Sequence, residues 1–200
     1  MTFKCAGVDT FIKSIALKQT YDGLEKLYQL GKMLDIPVVV AKVLIPSHTG
    51  EKKTSACRLE TEQQYRRLLE LEQIYGRREV VERNWEPGMP FCSAGENTLT
   101  IDPYGNVTPC NSFRISLGNI LSQSIQEIWD GSIELMKANV PDGYLKKECE
   151  SCESQKFCNV CLGTMIGPDG ERIDDDQVCF MAKAACHTYK ERRNNHEKGV

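Results

Sequence analysis

A chain of 200 residues that is 40% hydrophobic and 26% charged carries enough apolar material for one large or two small globular domains. Its formal charge of −3 provides no field to hold nucleic acid, and it has no run of about 18 apolar residues to span a membrane. The amino-terminal MTFKCAGVDTF lacks the apolar stretch of a secretory signal, so a reducing cytoplasm is the expected location and the ten cysteines point to metal or catalysis rather than disulfides.

Taken in chain order, Leu24, Leu27, Tyr28, Gly31 and Leu34 predict a helix, and Pro37 introduces a β-branched run from Val38 to Ile45 that reads as a parallel strand covered on both faces. Thr61 and Gln64 form a capping box that starts a second helix, whose apolar face is Tyr65, Leu68, Leu69 and Ile74 and whose stop is Gly76. Residues 79–83 read as another strand. Residues 1–85 thus look like part of a β/α fold, too short for a whole barrel of about 250 residues. The prolines and glycine of WEPGMP mark a boundary. A hairpin follows, with the turn DPYGN and Gly105 free to take positive φ, and Ser124 with Glu127 caps a helix to about Lys137. The tail from 191 to 200 reads as a solvated end.

Only Cys5 and Cys57 precede residue 90, and Cys149, Cys152, Cys158 and Cys161 are packed as CX2CX5CX2C. A structural zinc site would use four such thiolates, but zinc modules usually separate their pairs by about 12 to 20 residues. Bacterial ferredoxins divide a cysteine run differently, giving three ligands to one cluster and the fourth to another. By that logic Cys149, Cys152 and Cys158 serve one cluster with Cys179 available downstream, and Cys161 joins Cys92 and Cys110 at a second. Zinc, or burial as small hydrophobes, is the plainer alternative.

The order Cys92, twelve residues, Gly105, four residues, Cys110, then the central run and Cys179 resembles the SPASM domain, the carboxy-terminal extension of radical S-adenosylmethionine enzymes that modify peptides and proteins, such as anaerobic sulfatase maturases. LTIDPYGNVTPC and LGNILSQSIQEIWDGS are similar too, and the resemblance covers about residues 86–190. It implies one or two auxiliary 4Fe-4S clusters on those seven cysteines, serving electron transfer or substrate anchoring, with a peptide or protein as substrate. Two departures stand out. The last pair of the central run is separated by two residues, Asn159 and Val160, where the family usually has three, a change in reach of about 3.5 Å at most. No further cysteine occurs in RNWEPGMPF before Cys92, so the fourth ligand of the upstream cluster is left to Cys186, Cys57, water or a substrate atom.

The segment from Asp9 to Ile45 resembles the later part of the same enzymes' partial barrel, which makes the expected fold an α/β barrel remnant followed by a small α+β domain. The CX3CX2C loop that binds the S-adenosylmethionine-cleaving cluster is absent from the sequence, so that cofactor is expected only if another chain or a missing amino-terminal half supplies it. A stand-alone, non-catalytic metal module that binds a partner is the alternative. Of the other residues, Cys5 and Cys57 read as ordinary thiols, and Cys186 as buried or ligating. His48, His187 and His196 read as surface groups, residues 174–176 as a solvated acidic turn, and Trp85 and Trp129 as packing.

Overall fold

The computed structural model describes residues 6–45, 54–76, 79–84, 92–139, 147–149, 151–166, 173 and 176–197. The expectations for Cys5, His48, Trp85, the boundary at WEPGMP and residues 174 and 175 lie outside the described residues.

Strand β1 (Ile12–Ile15), helix α1 (Leu24–Leu34) and strand β2 (Val38–Ala41) make a β-α-β unit, with β1 and β2 parallel and Ile12 opposite Val38. The β2 strand is shorter than the apolar run. Past Ala41 the backbone bonds to side chains instead of a neighbouring strand: Leu44 N–H donates to Gln177 Oε1 at 3.3 Å, and Arg58 donates to the Leu44 carbonyl. Helix α2 (Glu62–Tyr75) begins with the expected reciprocal cap, Gln64 N–H to Thr61 Oγ1 at 3.3 Å and Thr61 N–H to Gln64 Oε1 at 3.2 Å. Leu24 and Tyr28 of α1, Val40 of β2 and Tyr65, Leu68 and Leu71 of α2 close a first core.

Residues 79–84 are not the expected strand. They pair with no sheet; Arg83 N–H instead donates to the Lys156 carbonyl at 3.0 Å, which lays this segment against the cysteine-rich loop. Strand β3 (Thr100–Ile101), strand β4 (Asn106–Thr108) and strand β5 (Gly118–Asn119) form an antiparallel sheet in the order β3-β4-β5. Gly105 occupies the turn at φ +82°, and Asp102 Oδ1 accepts from the amides of Tyr104 and Asn106.

Helix α3 (Ile125–Asn139) opens on the expected Ser124–Glu127 cap. Its inner face is Ile128 and Ser132, the latter bonded to the Gly95 carbonyl at 2.7 Å. Trp129, expected in the core, is 39% exposed and lies on an outward stripe with Ile125 and Ile133, because it sits about 100° around the helix from Ile128. The second core joins Val107, Phe113, Ile115, Leu117 and Ile128 to Leu162 and Ile166, the former in and the latter just past the short helix α4 (Leu162–Met165), with Cys92 and Cys110 at its border.

Helix α5 (Gln177–Glu197) carries the expected tail on as helix to Glu197. It lies along α2, and Ala184, buried in the first core with Tyr65, Leu68 and Leu71, allows close approach. Gln177, 3% exposed, donates to Tyr65 Oη at 3.0 Å and to the Lys42 carbonyl at 3.2 Å, while Arg66 pairs with Glu191. On another side, Tyr189 packs on Phe157 with ring centroids 5.2 Å apart.

Leu68, 1% exposed on α2, anchors the first core. Leu68→Ala is expected to cost about 2–5 kcal/mol in urea denaturation, against less than about 0.5 kcal/mol for Ile74→Ala on the solvent side of the same helix.

Candidate metal centre

Short turns hold the downstream thiols. Cys149 ends a 3-10 turn (Lys147–Cys149), and the Cys152 amide donates back to its carbonyl at 3.4 Å. The Gln155 amide donates to the Cys152 carbonyl, and a second 3-10 turn (Gln155–Phe157) delivers Cys158, whose amide bonds to the Gln155 carbonyl at 3.0 Å. Cys179, in the first turn of α5, completes the group across a long gap in the chain. Cys158 senses the other three: its thiol is pushed up to about 12, first by burial and then by Cys179, Cys149 and Cys152, with Arg83 opposing. Burial and like charge act together here, since each disfavours a thiolate.

The upstream thiols come from three places. The hairpin turn returns the chain so that Cys110 lies beside the same core as Cys92, and α4 begins directly after Cys161. Burial raises the Cys161 pKa; the amides of Gly163 and Thr164 pull it down without completing a capping bond, and Cys110 and Cys92 push it up. Cys92 Sγ accepts from the Ala94 amide at 3.4 Å and Cys110 Sγ from the Phe113 amide at 3.2 Å. Arg114 lies close enough to Cys110 for the thiolate to stabilise its charge against burial.

Cys158 therefore lies near Cys149, Cys152 and Cys179, and Cys161 near Cys92 and Cys110, and all seven thiols are half-buried. Among the described residues, no three of His, Cys, Asp and Glu converge closely enough to hold a metal ion. The thiols do act on one another electrostatically. A soft, all-thiolate donor set fits an iron-sulfur cluster, in which the cysteines bind separate irons.

The remaining residues fall elsewhere. Cys186 is buried and directs its sulfur to the Glu153 carbonyl at 3.8 Å. Cys57 Sγ accepts from Gln19 Nε2 at 3.4 Å, on the first half of the chain. His187 meets Glu62 on the surface of α5 and α2.

Three residues without a signal in the sequence matter to the centre. Gln177 fixes the start of α5 two residues before Cys179. Arg83 reaches the Cys158 carbonyl with its guanidinium. Gly163 stands against the loop after Cys110, where a Cβ would meet the Ser112 carbonyl oxygen at 2.1 Å. A glycine two residues after a cluster cysteine is the only hint of this last contact that the sequence carries.

Residues 92–161 match the family model of the SPASM iron-sulfur cluster-binding domain. The chain carries a SPASM domain. Six of the seven cysteines lie within the matched residues, and Cys179 lies beyond them. The chain is also similar to the antilisterial bacteriocin subtilosin biosynthesis protein AlbA of Bacillus subtilis strain 168, at 29% identity over 98 residues. That match takes in 46% of this chain and 21% of AlbA, so the chain spans about a fifth of the relative's length. No solved structure matches.

Gly163→Ala is expected to force the Ser112 backbone away and cost about 1–3 kcal/mol, with iron lost from the SPASM domain's upstream set and retained by the downstream set, read as iron per chain. Because the Cys158 thiol is pushed up to about 12, the metal-free SPASM domain holds it protonated at neutral pH, and metal must displace that proton. Metal affinity is therefore expected to rise with pH, and calorimetry of metal uptake in two buffers of different ionisation enthalpy should register proton release.

Proposed function

We propose that this chain is the auxiliary-cluster portion of a radical S-adenosylmethionine maturase acting on a peptide or protein side chain. The two separate thiol sets carry this reading. Cys149, Cys152, Cys158 and Cys179 would hold one 4Fe-4S cluster, and Cys92, Cys110 and Cys161 a second with one ligand from outside the set. Bound clusters of this kind supply one-electron transfer or an iron open to a substrate atom.

The chain's own residues contribute surroundings. Amides of Ala94 and Phe113 donate to Cys92 and Cys110, and such bonds offset thiolate charge and tune a cluster's potential. Val107, Phe113, Leu162 and Ile166 wall the upstream set with apolar surface, which limits water. Three thiols rather than four at that set favour anchoring of a substrate atom there, and electron transfer at the four-thiol set.

The reductive step belongs to a CX3CX2C cluster, which this sequence lacks, so a separate chain or further sequence would supply it together with S-adenosylmethionine. The β-α-β unit of β1, α1 and β2 supports kinship with the barrel of such an enzyme. Similarity to a bacteriocin biosynthesis protein supports a peptide as the substrate. A reducing cytoplasm, where these thiols stay free, is the matching location.

Anaerobic reconstitution with iron and sulfide tests the reading. Iron and sulfide near eight per chain are expected, with a broad visible band that dithionite bleaches. Cys158→Ala and Cys110→Ala should each remove about half of the iron. About one colourless zinc per chain would replace the reading with a structural binding module.

A further inference from the structure

Arg83 sits in the segment 79–84 that leads from the first half toward the SPASM domain, and it is bound to the cysteine run twice. Its backbone amide donates to the Lys156 carbonyl at 3.0 Å and its Nη1 to the Cys158 carbonyl at 2.5 Å. The side chain is half-buried, and no carboxylate among the described residues pairs with it. The neighbouring charges are already matched: Lys156 with Glu82 at 3.6 Å, Arg192 with Glu79 at 3.1 Å and Lys42 with Glu72 at 2.5 Å. A partly desolvated guanidinium without a counter-ion is costly, and this one, bonded to the Cys158 carbonyl, lies close enough to act electrostatically on the Cys158 thiol.

We propose that Arg83 is the counter-cation of the downstream cluster, setting its reduction potential from outside the ligand set. The inference rests on the cluster reading above. A cluster held by four thiolates is anionic and gains a further negative charge on reduction, so a fixed cation beside it stabilises the reduced form and raises the midpoint. The same cation opposes the burial that disfavours the Cys158 thiolate. Arg83 is thus a positioning and tuning residue: it ties the linker to the cluster loop and brings the charge with it.

The test is a redox titration followed by electron paramagnetic resonance on the reconstituted full chain, in a Cys110→Ala background so that the downstream signal is read alone. Arg83→Gln is expected to shift the one-electron reduction equilibrium by roughly tenfold toward the oxidised form, a midpoint more negative by about 59 mV. Arg83→Lys, which keeps the charge and loses the fork, should restore most of the shift, and Arg67→Gln on α2 should leave the midpoint in place. An unchanged midpoint in Arg83→Gln, with only iron retention or thermal stability reduced, would make Arg83 a plain tether and overturn the proposal. If the parent chain takes up no iron and sulfide at all, the cluster reading itself fails, and the proposal fails with it.

Discussion

Thiols that are buried together resist ionisation, and the structure is arranged around that constraint. Cys158 meets three other thiols in a half-buried site, and its proton is held more tightly as a result. Only a positive centre reverses this, since a metal stabilises all of its thiolates at once. The fold adds smaller terms in the same direction: the Arg83 guanidinium at the downstream set, and amides of Ala94, Phe113, Gly163 and Thr164 at the upstream one. None of these alone can offset the burial of several charges.

Helix α5 makes the downstream set possible. Cys149, Cys152 and Cys158 are local, within turns that order few residues, but Cys179 comes from another element and must be brought in by packing. Its position follows from Gln177, whose side chain spans the exit of β2 and Tyr65 of α2, and from the small residue Ala184, which lets the two helices approach closely. The stability of the first core and the geometry of the metal centre are therefore coupled. A defect in the α2–α5 contact would displace Cys179 from the other three thiols.

Local features were legible in the residues because short-range chemistry decides them. Both capping boxes, the Gly105 turn, helix α1 and the strand that Pro37 introduces follow from hydrogen bonds and periodicities within a few positions. Misreadings arose where the partner is distant. The β-branched pair Val80 and Val81 suggests a strand at 79–83, but pairing requires a neighbour, and this segment bonds to the turn at Lys156 instead. Trp129 belongs to a helix with apolar residues on two faces, and only the placement of Gly95 against Ser132 decides which face turns inward.

The sequence by itself determined the donor chemistry: seven cysteines at spacings that suit clusters, a glycine at the hairpin turn, where the backbone takes positive φ, and no CX3CX2C loop. The tertiary structure alone decided what surrounds them. That Arg83 faces Cys158, that Gly163 must remain without a side chain, and that Cys186 turns to a carbonyl are contacts between residues far apart in the chain. Their energies depend on burial and distance, quantities that exist only once the chain has folded.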